Sequence, residues 1–452
     1  MIRLSKNPGR ARNTDRQILA LALPALGALV AEPLFLLADS AIVGRLGTTE
    51  LAGLGIAAGI LTTAVYIFVF LAYGTTSSVA RLMGAGERTK AIAIGMDAAW
   101  LAAAIGLGVV LLLYPAAPYA VDLVGAAGAE AGVREAAITY LRWSLPGVPA
   151  MLIVLALVGV LRGLQNTRVT LWIAVSGAVV NALLNLFLVH GVGWGIAGSA
   201  LGTSITQCGM AVAALGYVVG DARRAGVRLW PQLDGVRLAG RTGVPLLIRT
   251  VAMRLLLLLT TAVAAGFGAP ALAAHQVALN VWNLLALGLD ALAIAGQALT
   301  GNALGAGDVQ GVRDATARMV RWGIGAGIVF AVILLLCAGA LGPLFSDDPE
   351  VRTALTGALI VAALTQPVAG YVFVLDGVLI GAGDGRFLAY AAVVQTALYA
   401  PAAIAIGLWG PDGKVGLVWL WVAFAGGWMI VRAVVLRRRA RGDLWLVTGA
   451  YR

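Results

Sequence analysis

Gly84-Ala85-Gly86-Glu87 returns in the second half of the chain as Gly305-Ala306-Gly307-Asp308, an offset of 305 − 84 = 221. The same offset carries Pro24 onto Pro245, Gly47 onto Gly268 and Leu51-Ala52 onto Leu272-Ala273. Further along, Gly159-Val160-Leu161 with Gly163 matches Gly377-Val378-Leu379 with Gly381 at 377 − 159 = 218, and Pro149 falls on Pro367. Collinear matches under two such close offsets mark an internal duplication. The two Gly-Ala-Gly-acid stretches are read as tight connections between helices. A phosphate-binding glycine loop would need a strand before it and Lys-Ser/Thr after it, and neither is present. No nucleotide site is indicated, so ATP is not the expected energy source.

Of the 452 residues, 60% are hydrophobic and 12% charged, whereas soluble domains carry about a quarter charged residues. That much apolar surface has no soluble interior to fill. Cutting the chain where polar residues, Gly and Pro cluster leaves about twelve apolar runs that can each cross a bilayer, which takes about 20 residues. The expected spans are 18–43, 51–73, 91–113, 136–161, 169–189, 195–219, 243–266, 271–303, 316–341, 353–380, 387–408 and 415–436. The run from Ile18 lacks a clear small-residue cleavage site and is read as a retained helix rather than a signal peptide.

Six helices per repeat is an even number, so both halves enter from one side and run in the same sense, related by an axis along the membrane normal. The expected fold is an all-α integral membrane protein of two parallel six-helix repeats. Its expected domains are an N-lobe over 1–220, a linker over 221–241 with Trp230-Pro231, a C-lobe over 242–436 and a basic tail over 437–452.

The net charge of +11 suggests nucleic acid until the basic residues are placed. Most lie in the N-terminal stretch (Arg10, Arg12, Arg16), the even-numbered loops (Arg88, Lys90, Arg223, Arg224, Arg228) and the C-terminal tail (Arg437, Arg438, Arg439). The odd-numbered loops hold only Arg45, Arg134, Arg352 and Lys414 among acids such as Asp122, Glu130, Asp347, Asp348 and Asp412. Both termini are therefore expected in the cytoplasm, and the charge is topological, with anionic lipid rather than nucleic acid as its partner. Cys208 and Cys337 lie inside apolar runs, and His190 and His275 are the only histidines. No spacing suits a metal, and no cofactor is expected.

Ionisable groups inside spanning helices are costly and mark functional candidates. In the first half these are Glu32 and Asp39 on helix 1 and Asp97 on helix 3; in the second, Arg249, Arg254, Asp290 and Asp376. Arg142 and Arg432 lie nearer helix ends, where a long side chain can snorkel. Glu32 and Asp39 are seven residues apart, on one face of a regular helix. A carboxyl in a low-dielectric pocket can load and release a proton near neutral pH, which a proton-driven antiporter requires. Asn181 and Asn185 form one polar edge of helix 5, and helix 6 adds Thr203, Ser204, Thr206 and Gln207. These groups complete a hydrogen-bond network or a cation site with Asp39, or serve as interhelical glue. Helix 8 carries His275, Gln276, Asn280, Trp282, Asn283, Asp290 and Gln297, and Gln276, Asn280, Trp282, Asn283 and Asp290 are the candidate substrate-binding residues. The offset places Thr260 opposite Asp39 and Met253 opposite Glu32, so coupling is expected to be asymmetric, with Arg249 and Arg254 pairing with Asp290 or Asp376.

Three stretches, Ala38-Asp39-Ser40-Ala41-Ile42-Val43-Gly44-Arg45-Leu46-Gly47, Leu161-Arg162-Gly163-Leu164-Gln165-Asn166-Thr167-Arg168 and Leu299-Thr300-Gly301-Asn302-Ala303-Leu304-Gly305-Ala306-Gly307-Asp308, together with the duplication, resemble the multidrug and toxic compound extrusion (MATE) family, in its DinF-like branch. The resemblance implies a V-shaped pair of six-helix lobes in a bacterial inner membrane. It implies alternating access, with export of organic, often cationic compounds against a proton or sodium gradient. It also implies a coupling acid on helix 1 at Asp39, an amide at Asn181 and a polar position at Thr203. Asn185 departs from the pattern, since many relatives carry an acid there. A monomeric antiporter of small organic substrates, not an enzyme, is the resulting expectation. A flippase for a lipid-linked saccharide is the alternative, with Arg249 and Arg254 the only deep basic pair available to it.

Overall fold

The computed structural model describes residues 8–124 and 130–451; the side chains of Arg10 and Arg12, in the expected basic N-terminal stretch, fall outside what it describes. Among the described residues, 12 helices are long and apolar enough to cross a membrane. They are α1 (Asn13–Val43), α2 (Thr48–Gly84), α3 (Arg88–Leu123), α4 (Gly132–Gly163), α5 (Thr167–Gly191), α6 (Gly195–Arg224), α7 (Leu233–Gly266), α8 (Ala269–Gly305), α9 (Val309–Phe345), α10 (Pro349–Gly381), α11 (Gly385–Trp409) and α12 (Gly413–Arg441). Each contains an expected span and most outrun it, because the helix continues past its apolar stretch until a capping residue stops it. The expected linker 221–241 shows this: α6 runs to Arg224 and α7 starts at Leu233, leaving 225–232 as the connection.

The helix starts repeat as the motifs do. α8 follows α2, and α9 follows α3, by 269 − 48 = 309 − 88 = 221. α11 follows α5, and α12 follows α6, by 385 − 167 = 413 − 195 = 218. The Gly-Ala-Gly-acid stretches cap α2 and α8 identically. Gly86 (φ 78°) and Gly307 (φ 74°) take the left-handed conformation. The next amide reaches back five residues, Glu87 to Leu82 and Asp308 to Ala303, both at 2.9 Å. This closes the last turn in the Schellman manner, and the motif is thus a helix stop.

By residue contacts the chain forms two compact units, Leu23–Val244 and Met1–Ala22 with Pro245–Arg452. The chain passes between them twice, beside Pro24 within α1 and at Pro245 within α7, repeat-equivalent prolines in helix interiors. A proline there removes one backbone hydrogen bond and bends the helix. The start of α1 is fixed within its own unit, where the Asp15 carboxylate accepts from the Arg318 guanidinium and, at 2.8 Å, from Trp322 Nε1.

In the unit Leu23–Val244 the most buried helix is α4, which packs against α2, α3 and α6. In the other unit it is α10, packed against α8, α9 and α12. Small residues let these centres form. A Cβ on Gly159 would lie 3.0 Å from Ala72 Cα, and one on Gly377 would lie 2.7 Å from Ala293 Cα. The repeated Gly-Val-Leu motif is therefore a site of backbone contact between helices, the usual way membrane helices approach without a hydrophobic driving force.

Candidate functional site

Asp39 sits four residues before the end of α1 and is 2% exposed. Three helices bring donors to it: Tyr140 OH of α4 donates to Oδ2 at 2.7 Å, Asn185 Nδ2 of α5 donates to Oδ1 at 2.8 Å, and Ser199 Oγ of α6 donates to Oδ1. Asn185 Nδ2 also reaches Asn181 Oδ1 at 3.3 Å, and Asn181 Nδ2 donates to Thr203 Oγ1 at 3.2 Å. Gly202 on α6, by lacking a side chain, leaves room for the Asn185 amide oxygen. The result is a buried chain of polar groups over four helices, with the carboxylate at its end. All of its donors are neutral. Asn185 Oδ1 is buried without a hydrogen-bond donor, an acceptor that a proton carrier, a water or a cation would satisfy.

Of the residues expected from sequence, Asp39, Asn181, Asn185 and Thr203 come together. Glu32 does not: it is exposed, within electrostatic reach of Arg162 and outside the network. α1 is continuous through both acids, but the donors of α4, α5 and α6 reach it only at Asp39, seven residues beyond Glu32. Tyr140 and Ser199 are partners that sequence reading missed. Each is one of several hydroxyls on its helix, Tyr140 with Thr139 and Ser144 on α4 and Ser199 with Thr203, Ser204 and Thr206 on α6, and the one available signal was Ser199 standing four residues before Thr203.

The repeat offset shows how local this site is. Thr260, Ala358, Ala403 and Leu417 occupy the places of Asp39, Tyr140, Asn185 and Ser199, at offsets of 221 for the first and 218 for the rest. All four are buried, and Thr260 bonds Tyr399 OH at 2.7 Å, with Tyr399 in the place of Asn181. The acid network therefore exists in one repeat only.

The second unit concentrates its charge elsewhere. Asp376 Oδ2 accepts from Arg249 Nη2 and, at 2.6 Å, from Arg432 Nη2, with all three side chains buried. The pairing of Arg249 with Asp376 was expected, but Arg432 was expected to snorkel. It is held inside by that carboxylate and by the face of Trp428, 4.7 Å away. The equivalent positions of the first repeat are Ala28, Val158 and Ala214.

On α8, Gln276, Asn280 and Asn283 are exposed along one face, seven residues from first to last, and Asp290 continues it half-buried. Trp282 departs from its expected place beside them. It is 6% exposed and packs on Trp421 and Phe424 of α12, ring centroids 6.1 and 5.6 Å away, because it lies on the opposite, inward side of the helix. Asp97 is likewise structural: its Oδ1 accepts from the Gln232 amide at 2.8 Å, at the positive N-terminal end of α7.

The MatE family model matches residues 24–187 and 245–404, one stretch in each repeat. The chain belongs to the MATE family. Its similarity to Protein DETOXIFICATION 44, chloroplastic, of Arabidopsis thaliana is 32% identity over 391 residues, covering 84% of this chain and 74% of the relative. With DNA damage-inducible protein F of Escherichia coli it is 26% identical over 443 residues, covering 96% of this chain and 94% of the other. A multidrug resistance MATE family transporter of solved structure shares the fold at a TM-score of 0.84 and 20% identity, with 97% of this chain and 99% of that one covered. As a MATE protein the chain is a multi-pass membrane transporter and not an enzyme. Asp39, Tyr140, Asn181 and Asn185, and Arg249 with Asp376, lie within its matched stretches, and Ser199, Thr203 and Arg432 lie in the helices that follow them.

Proposed function

We propose that this MATE protein exports small organic, cationic or amphipathic compounds in exchange for protons or sodium ions, with Asp39 as the coupling carboxylate. The observation that carries this reading is the Asp39 network: a buried carboxylate held by three neutral donors from three helices, in one repeat and not in the other. The ionised carboxylate accepts all three bonds. Protonation removes charge from the acceptor, weakens each bond and turns one oxygen into a donor, which has the unfilled Asn185 Oδ1 nearby. Donors on α4, α5 and α6 then lose their common anchor on α1. A gradient acts through this difference in bonding between the two protonation states, since only differential interaction shifts a conformational equilibrium. Sodium would use the oxygens of Asp39, Asn181, Asn185, Ser199 and Thr203, the hard ligands such an ion takes. The exposed amides of α8, Gln276, Asn280 and Asn283, with Asp290, are the proposed contacts for a polar or cationic substrate. Termini in the cytoplasm, a bacterial inner-membrane location and the DinF-like branch complete the proposal.

The experiment is efflux of a fluorescent cationic dye from proteoliposomes, with proton and sodium gradients imposed separately. Wild type is expected to move dye under one of them, and Asp39→Asn to lose that movement at normal reconstitution. Full gradient-driven efflux by Asp39→Asn would exclude the coupling role.

A further inference from the structure

A groove of about 990 Å³ opens between α9, α10 and α12 in the unit that contains the second repeat. The repeat offsets show that it is not a feature of the fold. Its lining residues Arg313, Ala317, Tyr371, Ala433 and Arg437 stand where the first repeat has Ile92, Met96, Ile153, Leu215 and Val219. Those five belong to one packed apolar cluster that joins α3, α4 and α6. Arg321, also in the lining, replaces Trp100, which in the first repeat stacks on Trp230 at 6.0 Å and donates to Leu229 O. Seam-closing apolar side chains have been exchanged for guanidiniums, a phenol and alanines, and the seam stands open.

We infer that this groove is a binding site for an anionic phospholipid, its phosphodiester held by Arg321, Arg437 and Arg441 and an acyl chain lying along the helices. Four arginines line the groove, and Arg313 is paired with Asp443. Among the described residues, Arg321, Arg437 and Arg441 form no ion pair; Arg437 and Arg441 are within electrostatic reach of the Tyr371 hydroxyl, and Arg321 is within reach of Asp15. A guanidinium presents paired donors that match phosphate oxygens.

The polarity of the groove runs along the helices, which favours an amphiphile over a free anion. Arg313 lies one turn inside the start of α9, and Arg437 and Arg441 lie in the last turns of α12. Deeper along the same helices the lining is apolar, with Ile324 on α9 and Ile430 and Val434 on α12. Both helix ends belong to the face that carries the basic loops, so the lipid comes from the leaflet on that side. There juxtamembrane arginines attract acidic headgroups.

The test is native mass spectrometry of the full chain solubilised with equal amounts of phosphatidylglycerol and phosphatidylcholine. Wild type is expected to retain phosphatidylglycerol preferentially. Arg321→Gln with Arg437→Gln is expected to lower retention by about fivefold per guanidinium removed, and Arg223→Gln with Arg224→Gln on α6 to leave it unchanged. Ala317→Met with Ala433→Leu, which restores the first repeat's residues, keeps every charge and fills the groove. It is expected to lose the lipid while melting no lower than wild type. Equal retention of both lipids by wild type, retention unmoved by either groove variant, or displacement by inorganic phosphate as effective as by phosphatidylglycerol would overturn the assignment.

Discussion

At the scale of single residues, Asp39 is defined by what donates to it. A hydrogen bond to a charged group contributes about 1.5–3 kcal/mol, so Tyr140→Phe and Ser199→Ala are each expected to change gradient-driven efflux by about tenfold or more. Thr260→Val, at the equivalent site of the other repeat, is expected to leave it near wild type, and initial rates of dye efflux check all three. Asp39, Asn181, Asn185 and Thr203 were legible in the sequence because polar groups at helical spacing stand out from apolar runs. Tyr140 and Ser199 were not, because one hydroxyl among several on a helix gains its meaning only from the helices packed around it. Arg432 was misread for a similar reason: its nearness to a helix end was visible, and the buried Asp376 that holds it was not. Asp376→Asn leaves two buried guanidiniums short of a counter-charge and is expected to cost about 3–5 kcal/mol. Replacing the trio by Arg249→Met, Asp376→Leu and Arg432→Met, closer to the apolar residues of the first repeat, is expected to be neutral or stabilising. Melting temperatures in detergent separate these two outcomes.

Helices meet at glycines in this chain, and the repeated motifs mark the meeting points. Gly377 touches the backbone of α8, so Gly377→Ala forces α8 and α10 apart, an overpacking cost of about 1–3 kcal/mol. Gly325 on α9 has open space around the position of a Cβ, and Gly325→Ala is expected to be neutral or to raise stability by up to about 1 kcal/mol. Thermal unfolding of the two variants measures the difference. Hydropathy and turn residues revealed the twelve helices. It did not reveal their full lengths, since α6 and α7 run on through polar sequence to Arg224 and from Leu233. Nor did it separate contact faces from exposed ones: Trp282 and Asn283 are neighbours in sequence, yet one is buried among aromatic rings and the other is exposed.

For the whole molecule, duplication supplies one fold twice and divergence supplies the function. The same positions hold an acid network in the first repeat and uncharged residues in the second; the reverse is true of the Arg249–Asp376–Arg432 cluster. The offsets themselves were readable in the collinear motifs, Gly84–Glu87 with Gly305–Asp308 and Gly159–Gly163 with Gly377–Gly381. Six spans per repeat place both termini on one side of the membrane, and impermeant labelling of a cysteine added at each end is expected to give the same sidedness. The central claim is that ion coupling resides in the first repeat at Asp39. The most direct measurement is proton release when an organic cation is added to purified, weakly buffered protein, comparing wild type, Asp39→Asn and Thr260→Val. Release by wild type and Thr260→Val with none from Asp39→Asn is the expected result, and undiminished release from Asp39→Asn would contradict the claim.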